Sequence, residues 1–576
     1  MFSPDLLTTW STQLADRWAP TFAEFSFEGV EQSPAMLIFV AVSAMLVSVV
    51  LIPLMIRLAP WLGMVDAPNE RKVHLAPIPR VGGIGIVVGA LIPIALLLGS
   101  DPLVQCYLFG ALVLFLFGAW DDRNESGHFF KFIGQFLAVV PLVWYGGLRV
   151  EHLPLLDSVT LPAAVAIPFT VVAMVGVING VNHADGLDGL AAGEVLLSLI
   201  VIAFLAYLAG GSITLLIAMA VIGGILGFLR FNSHPAQVFM GDNGSQFLGF
   251  TLAFLAVRLT QYTNSALSPA VVALLIGLPV IDILGVFYLR AASGNNWFKA
   301  SKNHIHHRLL GLGFTHHETV VVIYSIQALF VFGGWCLAYE PDGLILLLYV
   351  AAFAGIYAAL TLLERGGWRV GQNGKGGFFP HWLDRGLVRN LFRRGAVAVI
   401  LLLIPLYLVL VPALLTTVPR DFALVAAVLA VVLLAEMLFV RRRPSILARG
   451  VVYIAALFSA YLYQEHSIPL FNGLIWPSWL FYGVLAVASG VAIRYSYEIN
   501  FRTTPTDFLG LFLVLAVALL QFSGAIESGF MLLAVKFLVI LYGCELLAMR
   551  ARSQRNLLNF SALGGLAILA VRGLLP

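Results

Sequence analysis

Apolar runs of about 18 to 22 residues recur along the chain from near residue 35 to its last residues, and each is as long as a helix must be to cross the hydrocarbon of a bilayer. With 60% of its 576 residues hydrophobic and 11% charged, the chain cannot bury such runs in a water-soluble core. In lipid the main chain has to satisfy its own hydrogen bonds, which leaves only helices or a closed barrel. A barrel would show short alternating segments, and these are missing. The expected fold is all-α, a polytopic transmembrane helical bundle.

The charged residues of 1–34 are mostly acidic and the segment lacks the basic start of a cleavable signal, so it is expected to form a leader on the periplasmic side. Residues 35–363 hold about eleven spans, one of them expected to run unbroken over 269–289. A Gly-rich, then basic stretch over 364–394 resembles a cytoplasmic linker lying on anionic lipid. About seven further spans fill 395–576, among them one over 506–523. The three cysteines lie in or beside separate apolar runs, which gives neither a disulfide framework nor metal-type spacing. Glu436 and Lys536 fall inside apolar runs and are expected to snorkel toward the nearer interface.

Alternating the spans puts most of the 33 Lys and Arg on one side, and the positive-inside rule makes that side the cytoplasm. Every conspicuous polar loop falls there too: "APNERKVHLAPIPRVGG", "DDRNESGHFFK", "NGVNHADGLDGL", "FNSHPAQVFMGDNGS" and "ASKNHIHHRL". Asp121, Asp122, Asp185, Asp188 and Asp242 each stand at a membrane boundary. One acid at a helix end is an ordinary solvated cap, but five in glycine-bearing motifs on one side look like one site. Carboxylates and amides are hard ligands suited to Mg²⁺ or Mn²⁺, and one ion needs fewer than five acids. Asp121 and Asp122 are adjacent, so on a helix they diverge by about 100° and take different roles. In "HIHH", His304 and His307 share a helical face; a zinc site and a cationic clamp for a diphosphate both remain open, with the surplus of oxygen ligands favouring the clamp.

Taken together, these loops resemble the polyprenyl-phosphate N-acetylhexosamine-1-phosphate transferase family, in particular its WecA-like and TagO-like branch, over residues 35 to about 363. The matching stretches are "DAPNERKVHLAPIPRVGG", "DD" at 121 with "KFIGQ" at 131, "NGVNHADGLDGLAAG", "FNSHPAQVFMGDNGS", "PVIDILGVFYLR" and "HIHHRL". The resemblance implies transfer of N-acetylhexosamine-1-phosphate, with GlcNAc the expected sugar, from a UDP-sugar to undecaprenyl phosphate. UMP is released, Mg²⁺ or Mn²⁺ is required, and the product starts a cell-envelope polysaccharide.

By position, the resemblance makes Asp242 the principal metal ligand, assisted by Asp185. Asp121 and Asp122 would act near the lipid phosphate, one as base, while Asn182, Asp185 and Asp188 would hold the nucleotide and diphosphate. Phe239 would stack on uracil with Asn232 nearby, and His304, His306, His307 and Arg308 would clamp the diphosphate and sugar. Lys72, Arg80 and Lys131 would contact phosphate. Ser301 and Lys302 stand where the WecA-like pattern has an acid and an arginine, in the loop that helps select the sugar. The expected partners are a UDP-N-acetylhexosamine, undecaprenyl phosphate and the lipid bilayer, with a homodimer left open and nucleic acid excluded. The expected location is the bacterial inner membrane, with the active site facing the cytoplasm. An ion-coupled transporter is the alternative, but transporter sites lie near the bilayer midplane and these acids gather at helix ends.

Overall fold

The computed structural model describes residues 34–66, 77–156, 159–292, 294, 303–370, 386–439, 446–466, 475–494, 528–548 and 552–574. The leader, Lys72 and the span expected over 506–523 lie outside these residues. Two compact units result, one over 34–370 and one over 386–574. Among the described residues ten helices are long and apolar enough to cross a membrane, seven in the first unit and three in the second. The all-α expectation holds, and the chain is a multi-pass membrane protein.

The first unit begins with α1 (Pro34–Leu62), which leads into a two-residue antiparallel pairing of β1 (Val65–Asp66) with β2 (Ile78–Pro79). Then follow α2 (Gly82–Leu98), α3 (Pro102–Asn124), α4 (His128–Trp144), α5 (Ala163–Ala184), α6 (Leu190–Leu208), α7 (Ser212–Asn232) and α8 (Gly241–Arg258). Local signals set these starts: Asp101 caps α3 by accepting from the Val104 N–H at 3.0 Å, with Pro102 just inside, where its missing N–H costs nothing. A single π-type turn, Leu259–Thr263, ends α8. The run expected as one span over 269–289 is instead two helices, α9 (Val271–Ile276) and α10 (Leu278–Ala292), broken at Gly277, whose φ is +45°. Short α11 (Ile305–Gly311), α12 (His316–Cys336) and α13 (Asp342–Arg365) complete the unit.

The helix α8 is its hub. It packs against α2, α3, α5 and α6, and every residue from Asn243 to Val257 is buried. A helix enclosed on all sides is fixed by its neighbours rather than by lipid. Behind its polar end, Gln135 of α4 is bonded to Asn179 of α5 (Nδ2 to Oε1, 2.8 Å) and donates to Gln246 of α8 at 3.1 Å. These amide bonds between neighbouring helices satisfy polar groups that hydrocarbon could not.

The second unit holds α14 (Gly386–Ala413), α15 (Arg420–Phe439), α16 (Ile446–His466), α17 (Ile475–Arg494), α18 (Ser528–Ala548) and α19 (Arg552–Leu574) around an apolar core. Two expectations change. Residues 386–394, placed in the linker, already belong to α14. Lys536 does not snorkel: it is buried, with Nζ 5.7 Å from the centroid of the Tyr482 ring, so the lysine is held by an aromatic face inside the bundle.

Candidate active site

At one end of the first unit, the ends of α3, α5 and α7 and the starts of α4 and α8 surround a cavity of about 1050 Å³. Asp121, Asp122, Lys131, Asn182, Asp185, Asp188, Asn232, Phe239, Asp242, His307 and Arg80 all line it. Segments more than a hundred residues apart therefore meet as the polar loops require.

Asp242 stands in the first turn of α8, where a helix N-terminus favours negative charge. Its carboxylate accepts from Asn182 Nδ2 at 2.6 Å and pairs with Lys131 Nζ at 2.7 Å. The same ammonium lies 3.1 Å from Asp121, which also accepts the Ser126 N–H at 2.8 Å. One cation thus bridges two carboxylates from different helices, which offsets the repulsion between them. Asp122 points elsewhere, as adjacency on a helix requires. It accepts the Asp242 N–H at 2.8 Å, the Asn243 N–H at 3.1 Å and the Asn243 side-chain amide at 2.5 Å. Asp122, expected beside the lipid phosphate, lines the cavity with its oxygens engaged by the first turn of α8.

Between α5 and α6 the chain carries the remaining acids. Asn182 is still helical, Asp185 is the C-cap of α5 and Asp188 lies in the turn before α6. Burial, then the charges of Asp242 and Asp188, push the Asp185 carboxyl up to about 7. Burial also acts against ionised Asp188, but hydrogen bonds from His234 Nδ1 at 2.7 Å and the Ala236 N–H at 3.0 Å hold it below its ordinary value. Asn232 ties two loops together, accepting the Gly189 N–H at 2.7 Å and donating to the Val238 carbonyl at 2.8 Å. The half-buried Phe239 is set by main-chain bonds: its N–H donates to Pro79 O at 2.8 Å, and its carbonyl accepts from the Gly82 N–H at 2.9 Å.

Three residues expected to clamp the substrate do not line the cavity. Arg308 is spent on Glu364, at 2.7 and 2.8 Å, and on Thr361, with its guanidinium over the Tyr357 ring. His304 is buried and bonded through Nδ1 to Asp282 at 2.6 Å, and Asp282 also accepts the Ile305 N–H at 2.7 Å. His306 is buried against Gly186, and burial lowers it to about 3, so it is neutral rather than a cationic donor. Only His307 of this motif reaches the cavity wall. Arg80 does line the cavity but is paired with Asp66 and, at 3.4 Å, with Glu125.

The sequence reading missed Asp282, His234 and His316. The first two stand inside stretches that carried the resemblance, yet neither was given a role. Asp188, His234 and His316 place three ligand-type atoms within 4.8 Å of one another. The two imidazoles, however, are stacked face to face, 4.1 Å apart and 23° from parallel, so their in-plane lone pairs do not converge on one ion. The zinc reading of "HIHH" gains nothing either: among the described residues these histidines join no group of three ligand-type atoms within reach of one ion. Asp242, Asp185 and Asp121 bring carboxylates, the donor type a hard divalent cation takes, to the wall of one cavity, though not as a group of three within 4.8 Å of one another.

Comparison with known proteins points the same way. Residues 104–260 match the family glycosyl transferase family 4. A probable undecaprenyl-phosphate N-acetylglucosaminyl 1-phosphate transferase of Bacillus subtilis is 34% identical over 290 residues, which is 50% of this chain and 81% of that protein. A decaprenyl-phosphate N-acetylglucosaminephosphotransferase of Mycobacterium tuberculosis is 31% identical over 343 residues, covering 54% of this chain and 85% of that one. An undecaprenyl-phosphate alpha-N-acetylglucosaminyl 1-phosphate transferase of Escherichia coli is 30% identical over 308 residues, 52% and 83% respectively.

Proposed function

Because the chain belongs to the polyprenyl-phosphate N-acetylhexosamine-1-phosphate transferase family, we propose that its first unit transfers GlcNAc-1-phosphate from UDP-GlcNAc to undecaprenyl phosphate. The observation that carries this reading is the bonded group Asp121–Lys131–Asp242–Asn182 on the wall of the cavity that Phe239 also lines. A phosphoryl transfer asks a protein mainly for positioning and charge neutralisation, which is what this wall offers.

In the reaction, an oxygen of the lipid phosphate bonds to the β-phosphorus of the donor. The bond from that phosphorus to the bridging oxygen breaks, and its electron pair leaves with UMP. A bound Mg²⁺ or Mn²⁺ would neutralise the diphosphate. Asp242 and Asp185 are the residues to hold it, and Lys131 brings a positive charge to the same place. Asp121, with Lys131 beside it, is the group to hold the proton of the incoming lipid phosphate. Phe239 offers a ring face for uracil, positioned by the main chain, and Asn232 shapes the loop around it. His307, the one histidine of its motif on the cavity wall, is positioned to meet the diphosphate or sugar. On this reading the chemistry belongs to the cytoplasmic face of the bacterial inner membrane, the side to which the positive-inside rule assigns the basic loops.

Purified protein incubated with UDP-GlcNAc, undecaprenyl phosphate and Mg²⁺ should release UMP and form a lipid-linked product. No UMP from any UDP-N-acetylhexosamine tried would defeat the proposal. An ion-coupled transporter is not favoured, since the acids lie at helix ends around one cavity with a family match to transferases.

A further inference from the structure

Asp122 differs from the other acids of the cavity in what holds it. Its side chain is 6% exposed, and three of its roughly four acceptor positions are occupied by N–H groups of residues 242 and 243. The receiving helix lacks a cap of its own: Met240, at the N-cap of α8, makes no side-chain cap bond. The first N–H groups of any helix have no partner within it, and a buried end without partners is costly. Asp122, from the neighbouring α3, supplies the missing acceptor for these N–H groups.

The fit around this contact is close. Gly241 has φ +76°, and a Cβ there would stand 2.6 Å from Asp122 Oδ2. The bond from the Asp242 N–H holds the main chain of the very residue whose side chain meets Lys131 and Asn182. Displacement of the Asp242 main chain would therefore break a bond to Asp122.

We propose that Asp122 is a positioning residue: a cap supplied across the helix interface that fixes Asp242, and neither the base nor a cation ligand. This rests on the transferase reading only for the importance of Asp242. The structural claim itself concerns two amides.

The test is hydrogen–deuterium exchange of the full-length protein in detergent, read by mass spectrometry on peptides covering 238–248, for wild type, Asp122→Asn, Asp122→Ala and Asn243→Ala. Loss of a helix cap corresponds to about a ten-fold rise in local opening, so Asp122→Ala should speed exchange at residues 242 and 243 by about that factor. Asp122→Asn keeps one acceptor oxygen and should give a smaller rise. Mn²⁺ binding, followed by electron paramagnetic resonance, should weaken in parallel with exchange across the series. In turnover, Asp122→Asn should retain more activity than Asp122→Ala and keep the wild-type shape of the pH–rate curve.

Unchanged exchange at 242 and 243 in an inactive Asp122→Asn protein would overturn the proposal in favour of a reacting group, and so would loss of a limb of the pH–rate curve. If the Asp122 variants do not fold, Asn243→Ala decides. It removes only the side-chain bond, so a smaller rise at the same amides is expected, and no rise overturns the cap. Exchange needs no substrate, so a wild-type protein that released no UMP would count against the reaction alone.

Discussion

At the residue scale, two neighbouring acids of one motif are separated by what they touch. Asp121 shares an ammonium with Asp242, whereas Asp122 receives main-chain N–H groups. Asp242→Asn keeps the size of the side chain but removes the charge that faces Lys131. Turnover is expected to fall by about 100-fold or more with the folded protein still obtained, which size-exclusion chromatography and a UMP assay would check. Asp185 gives a pH dependence. Its carboxyl is held up to about 7, so below that pH a divalent cation must displace a proton, and affinity should rise with pH and level off above about 7. Mn²⁺ titrations between about pH 6 and 8.5 would show it, and a flat response would count against Asp185 as a ligand. In the cation-free protein the sign for stability is the reverse. The folded state holds this proton more tightly than the unfolded chain, so stability should decline as pH rises from about 4 to about 7.

At the element scale, the site is an arrangement of helix ends, and close packing makes it so. Gly118 lies one turn before Asp122, and a Cβ there would stand 2.4 Å from Asn243 Cα and 2.5 Å from its N. Gly118→Ala is expected to displace the first turn of α8 and cut turnover by about ten-fold or more, although residue 118 carries no chemistry. Activity at the wild-type level would show that α3 can yield. Much of this architecture was legible in the sequence. Run length gave the helices, and the acids gathered at one end because charge belongs at the boundary of an apolar span. Three things were not legible. The break at Gly277 hides in an apolar run, because an isolated glycine reads the same in a continuous helix as in a broken one. The loss of Arg308 to Glu364 depends on a helix 56 residues later, and no local pattern announces such a pairing. The division of labour between Asp121 and Asp122 was foreseeable as a divergence, but not which of them would meet α8.

At the scale of the whole molecule, every residue that lines the cavity belongs to the first unit. Half of the chain matches 81% of the Bacillus relative, so a transferase of that kind does not need the other half. Protein ending at residue 370 is therefore expected to release UMP at a rate within about two-fold of the full chain, measured in the same detergent; loss of activity would make the second unit part of the enzyme. The long sequence separation inside the cavity also bears on how the protein is made. Asp122 waits for a partner 120 residues later, and Lys131 for one 111 residues later. At about 5 to 20 residues per second, a ribosome takes roughly 6 to 24 s to deliver them. During that interval Asp122 and Lys131 lack these later partners, so they must sit where water reaches them. The membrane boundary meets that need, and the position of the chemistry at the rim of the bundle is also what lets the chain survive its own synthesis.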